Sequence, residues 1–167
     1  MKEFFASLYE WFGLMPLYST DMGDQLRGWD ITCTDYIGTP WYVYIGSIMI
    51  ILTAFLYSIQ YHIYDSTRFN KKQHWWIMAL VIVALNFVIA FTIPFNTVNA
   101  GDFCNQLNLS VSDCIGFGLS NAIWSFIFFL IISTIPLIRR LSTNCRNTTF
   151  WNLNKEIIKW HVYLYSQ

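Results

Sequence analysis

Three long runs without a single Asp, Glu, Lys or Arg govern what this chain can become: Trp41 to His62, Trp75 to Phe95 and Leu119 to Ile138. Roughly 20 apolar residues in helical form cross a hydrocarbon core about 30 Å thick. Inside that core every backbone N–H and C=O must find a partner within the segment, which a helix provides and a lone strand does not. Three buried helices of a water-soluble bundle would each need one polar face. The reading is therefore an all-α integral membrane protein with transmembrane helices over 41–62, 75–95 and 119–138. Composition agrees: 12% of the 167 residues are charged, against about 25% in soluble domains. The 8 Trp and 10 Tyr suit the membrane–water boundary, where one end of the ring is apolar and the other wet.

The zero net charge hides a split between the two sides of the membrane. Segments 1–40 and 96–118 share one side and carry Lys2 and Arg27 against Glu3, Glu10, Asp21, Asp24, Asp30, Asp35, Asp102 and Asp113, a balance of −6. The loop 63–74 and the tail 139–167 share the other, with Arg68, Lys71, Lys72, Arg139, Arg140, Arg146, Lys155 and Lys159 against Asp65 and Glu156, a balance of +6. Lys and Arg near span ends are retained in the cytoplasm. The expected topology puts the N-terminus outside and the C-terminus in the cytoplasm, in a multi-pass protein of the cell inner membrane. Residues 1–18 lack the long apolar core of a cleavable signal peptide, so the first span is expected to act as a reverse anchor.

Ahead of that span, residues 3–15 place Phe4, Phe5, Leu8, Trp11, Phe12 and Met15 on one helical face and Glu3, Ser7 and Glu10 away from it. The segment is too short to span and Pro16 ends it. It is read as an interfacial amphipathic helix, with a re-entrant helix as the alternative. Residues 17–40, with Gly23, Gly28, Gly38 and Pro40 among their aspartates, read as a mostly irregular acidic cap. The stretch DMGDQLRGWD lacks the ligand alternation of a calcium loop, so its aspartates are expected to be solvated and no metal site is assigned. Pro94 and Pro136 are read as helix terminators. The tail resumes a helical pattern at Phe150, Leu153, Ile157, Trp160 and Leu164, predicting a short cytoplasmic helix.

On this topology Cys33, Cys104 and Cys114 lie outside and Cys145 inside. Disulfides persist outside the reducing cytoplasm. A Cys104–Cys114 bridge closing the 96–118 loop is expected, with Cys33 pairing to either as the open alternative. The outer side also holds a glycosylation sequon, Asn108-Leu109-Ser110, which leaves a eukaryotic origin open.

Enzyme signatures are missing: no Walker loop, HExxH or GxSxG occurs, and the spans hold no pair of acids. The chain is read as a non-enzyme without cofactor. His62, at a span's edge, is read as an interfacial anchor. Within the spans the polar candidates are Ser47, Thr53, Ser58, Asn86, Asn121, Ser125 and Ser133. Asn86, near mid-span, is poorly placed against lipid and should face another helix or water. These residues serve either as glue between helices or, in a homo-oligomer, as the lining of a central pore.

The inner cations, Arg68, Lys71, Lys72, Arg139, Arg140, Arg146, Lys155 and Lys159, are interleaved with Trp75, Trp76, Phe150, Trp151 and Trp160. Such a surface attracts anionic lipid headgroups and equally a nucleotide or oligonucleotide, whose phosphates pair with the cations and whose bases stack on the rings. Three apolar runs, a basic inner face and no catalytic domain resemble the small multi-span effectors of bacterial nucleotide-signalling anti-phage systems, such as the channel effector of Hailong-type defence. That resemblance implies an oligomeric channel or pore controlled by a cytoplasmic nucleotide or oligonucleotide, with a nucleotidyltransferase encoded in the same operon as partner. The other reading from the residues is a non-conducting scaffold or assembly subunit that anchors a partner.

Overall fold

The structure is a computed structural model that describes residues 2–10, 17–59 and 72–134. Five helices follow one another along the chain: α1 (Lys2–Tyr9), α2 (Thr20–Arg27), α3 (Trp41–Ser58), α4 (Lys72–Ala100) and α5 (Val111–Thr134). No strand occurs among the described residues. Helices α3, α4 and α5 are long and apolar enough to cross a membrane, which establishes the all-α membrane fold with short additional helices at one end. The expected cytoplasmic tail helix and the Pro136 terminator lie outside the described residues.

Two of the spans run further than their hydropathy suggests. Pro94 does not end α4, which carries it as an interior residue and continues to Ala100. The stop signal is Gly101. Its φ of 74° lies in the left-handed region, where the Asp102 N–H reaches Thr97 O and the Gly101 N–H reaches Val98 O at 3.3 Å, the bond pair that closes a helix on glycine. At the other end of the short loop, α5 begins at Val111 instead of near Leu119. Asp113 accepts from the Ser110 N–H at 3.1 Å and from its hydroxyl, the Ser-x-x-acid arrangement that satisfies first-turn donors. The loop predicted over 96–118 is thus ten residues, 101–110.

The cap is likewise more ordered than its composition indicates. Within the stretch read as irregular, Ser19 caps α2 by accepting from the Met22 N–H at 3.3 Å. Gly28 ends it at φ 97°, and a Cβ there would sit 2.6 Å from the Gly38 carbonyl oxygen. Only glycine meets both conditions. Short bonds then join cap to spans: Asp113 Oδ1 accepts from the Ser19 N–H at 2.9 Å, and Asp21 Oδ2 from the Asn108 N–H at 3.0 Å.

Two clusters form the interior. At the cap end Phe5, Ala6 and Tyr9 of α1 join Tyr18, Met22, Leu26, Tyr42, Ile45, Ala90 and Phe117. At the far end Tyr57, Trp75, Ala79, Ile82, Phe129 and Ile132 pack together. Lipid is as apolar as leucine, so close packing, not expulsion of water, holds such helices side by side. Gly46 of α3 allows α1 to come close: a Cβ there would meet the Phe5 ring at 2.3 Å. Helix α1 is accordingly packed against α3 and α5. Its buried face is Phe5, Ala6 and Tyr9, whereas Phe4, expected on the apolar side with Phe5, is exposed. The docking partner, which the helical period alone does not name, sets the face.

Candidate functional site: a polar seam and an acidic cleft

Polar side chains at membrane depth are expensive unless paired, and here they pair within the chain. Asn86, fully buried in α4, donates to Thr53 Oγ1 of α3 at 3.3 Å and to Ile82 O of its own helix at 3.0 Å. Asn121 of α5 donates to the backbone carbonyl of Asn86 at 2.8 Å, and its Oδ1 accepts from the Tyr9 hydroxyl at 2.6 Å. Ser120 donates to Tyr9 O at 3.4 Å. The seam thus joins all three spans and α1. Asn86 Oδ1 is its one atom without a partner among the described residues.

Above Tyr9 the seam meets the cap. The Tyr9 ring stacks on Tyr42 with centroids 5.6 Å apart, and both lean on Phe117. The Tyr42 hydroxyl shares a hydrogen bond with that of Tyr18 at 2.8 Å and donates to Glu10 Oε1 at 3.4 Å. Glu10 is held by Arg27 through two bonds of 3.1 and 2.6 Å. The side chains of this ion pair are 39% and 26% exposed, so it contributes on the order of 1 kcal/mol or less. Burial pushes the Tyr18 hydroxyl pKa well up, so it stays neutral.

Of the predicted polar residues, Thr53, Asn86 and Asn121 come together. Ser125 and Ser133 are buried but bond to Ala122 O and Leu130 O of their own helix. Ser58 is exposed and bonds to Ala54 O, and Ser47 is half-buried. The outward faces are otherwise apolar, as at Ile51 and Phe55 of α3, Leu80 and Val88 of α4, and Leu119 and Ile131 of α5. Arg68, Lys71, Arg139, Arg140, Arg146, Lys155 and Lys159 lie outside the described residues. Lys72 opens α4, and its side chain is not among those described.

The disulfide corrects the sequence expectation. Cys33 and Cys104 are bonded, with Cα atoms 5.4 Å apart and a sequence separation of 71. Cys114 is a free thiol, fully buried in the first turn of α5. Helix α5 starts early enough to take Cys114 into the bundle, whereas Cys33, with φ 60°, turns out of the cap toward the loop.

That bridge clamps a cleft of about 270 Å³ between the cap loop and the cap end of α4. Gln25, Trp29 and Asp30 form one side, Thr97 and Asp102 another, with Trp41 at the start of α3. Asp30 accepts from the Thr32 hydroxyl, which holds its carboxyl below the usual range and keeps it ionised. No group of three His, Cys, Asp or Glu able to hold a metal occurs among the described residues. Sequence reasoning missed Tyr9, Tyr18, Tyr42, Glu10, Arg27 and Gln25. Tyr9 and Glu10 had one advance signal, polar side chains in a segment too short to span; the other four had none.

No family model matches this chain, and no curated protein or solved structure does either.

Proposed function

We propose that this chain is a non-enzymatic membrane subunit that anchors a partner, its three spans a packed anchor and its stapled cap the working surface. The observation that carries this reading is the seam. The side chains best suited to line a water-filled path, Thr53, Asn86 and Asn121, are spent on one another inside the bundle, and apolar residues face outward. The cap in turn exposes Ile31, Tyr36 and Ile37. A disulfide favours an oxidising compartment for this end, in keeping with an outside cap and a cytoplasmic basic tail.

The charge split favours a second reading: a homo-oligomeric channel or pore-forming effector of anti-phage defence, in the manner of the Hailong-type effectors the layout resembles. Its path would run between protomers, an acidic outer mouth enriching cations. A nucleotide or oligonucleotide from a partner nucleotidyltransferase would control it at the inner cations. Potassium efflux from liposomes carrying the purified full chain tests the pair. The anchor reading expects flux at the protein-free background with and without added oligonucleotide. Flux that rises with protein and responds to the polyanion would replace it with the channel.

A further inference from the structure

We infer that a pocket at the cap end of α3 holds the headgroup of one phospholipid, a phosphate joined to a primary ammonium as in phosphatidylethanolamine, with an acyl chain lying down the flank of α3. The inference rests on the membrane fold and not on whether the spans anchor or conduct.

The pocket, of about 220 Å³, lies between Glu3 and Ala6 of α1, Arg27 of α2, Tyr36 of the cap loop, and Tyr42 and Val43 of α3. Tyr42 and Val43 belong to the first turn of α3, where a span meets the headgroup layer and Trp and Tyr gather. The space therefore sits at the height of lipid phosphates. Its lining carries both signs of charge. Arg27 spends Nε and Nη2 on Glu10, which leaves Nη1 without a bond among the described residues, and a guanidinium is a strong phosphate partner. Glu3 is exposed, and its carboxylate makes no bond among the described residues. A phosphate alone would meet like charge at Glu3, and a cation alone would meet it at Arg27. A zwitterion satisfies both.

The same lining selects the amine. A quaternary ammonium is held by a cage of rings, but Tyr42 is 1% exposed and Tyr36 leans on Trp29 with centroids 4.5 Å apart. A carboxylate is what the pocket offers the nitrogen, and a primary ammonium can donate to it. The flank of α3 then selects a lipid over a soluble zwitterion. Val43, Ser47, Ile50 and Ala54 recur at i, i+4, i+7 and i+11, one line down the helix, and all four are half-buried. The line runs about 16 Å from the pocket into the hydrocarbon depth at the helical rise per residue. Helix α1 lies against its top, where Val43 shares the pocket with Glu3 and Ala6 and the neighbouring Phe4 is 61% exposed. A mainly apolar line beneath a charged pocket matches the vertical order of a phospholipid. Free phosphoethanolamine would leave that line unused.

The test is native mass spectrometry of the full chain in mild detergent, titrated in turn with phosphatidylethanolamine, phosphatidylcholine and phosphatidylglycerol of the same acyl chains. One phosphatidylethanolamine per chain is expected to bind at least tenfold more tightly than either other lipid. Glu3→Gln should lower its preference over phosphatidylglycerol at least fivefold. Arg27→Gln removes the phosphate partner and Val43→Trp fills the exit of the pocket, and each should weaken binding at least tenfold. Asp35→Asn, outside the pocket, should stay within twofold. The inference is overturned by affinity for either other lipid that equals or exceeds that for phosphatidylethanolamine, or by Glu3→Gln behaving like Asp35→Asn. Displacement of the lipid by free phosphoethanolamine at equal concentration would also overturn it, assigning the pocket to a soluble zwitterion. Should Arg27→Gln or Val43→Trp fail to fold, Glu3→Gln, a change at an exposed side chain, decides the matter.

Discussion

The bond from Tyr9 to Asn121 is where docking of α1 into the bundle can be measured. Both residues are fully buried, and the hydroxyl donates across 2.6 Å. Tyr9→Phe removes the donor, keeps the ring on Tyr42 and Phe117, and strands Asn121 Oδ1. In a soluble core an orphaned acceptor costs about 1–3 kcal/mol, while bonds between membrane helices average about 0.6 with a maximum near 1.7. The undocked α1 carries Lys2 and Glu3 and returns its tyrosine toward water, but Asn121 remains among helices. The value expected falls between the two scales, at about 1 kcal/mol, or roughly a fivefold shift in the docking equilibrium. A cycle of Tyr9→Phe, Asn121→Leu and the double variant isolates that coupling from the loss of the Asn121 bond to Asn86 O. Hydrogen exchange of the α1 amides in bicelles reads the local opening free energy. Coupling below about 0.3 kcal/mol, or α1 amides without protection in the unaltered chain, would refute a docked α1 and restore a helix lying on the lipid surface.

Two further outcomes follow from the same geometry. Non-reducing peptide mapping should yield Cys33 linked to Cys104, with Cys114 alkylated only after unfolding; Cys33→Ser should cost up to about 4 kcal/mol by loop-closure entropy for a closed loop of this length. Among glycines, thermal unfolding should rank Gly116→Ala worst, since its Cβ would lie 2.0 Å from the Leu17 carbonyl oxygen, backbone that cannot step aside. Gly101→Ala meets no neighbour and strains only its φ of 74°, a cost of about 1 kcal/mol.

The spans were legible because the absence of charge over some twenty residues is a property of each segment alone. Hydropathy does not locate their ends, which local chemistry sets: Gly101 stops α4 and Ser110-x-x-Asp113 starts α5, both readable signals, whereas Pro94 is carried inside the helix. Asn86 was legible too, since a mid-span amide demands a partner. Which partner was not. Tyr9 and Asn121 are 112 positions apart and Cys33 and Cys104 are 71 apart, and no periodicity reports a contact between distant segments. The cleft was hidden for the same reason, because Gln25, Asp30 and Asp102 acquire a common meaning only once the cap loop lies against the end of α4.

These long-range contacts decide how the cap can act. A cap on a flexible tether would leave the spans indifferent to whatever it binds. Here Arg27 holds Glu10, Glu10 accepts from Tyr42, Tyr42 stacks on Tyr9, and Tyr9 reaches Asn121, Asn86 and through it Thr53. Asp113 and Asp21 tie the same cap to α5 and its loop by separate bonds. Members of one bonded network respond together to perturbation. A shift of α2 that pulls Arg27 from Glu10 therefore bears on Tyr42 and Tyr9. An anchored partner or a conducting oligomer would use that linkage differently, yet in both α1 carries one route between cap and spans, beside the bonds of Asp113 and Asp21.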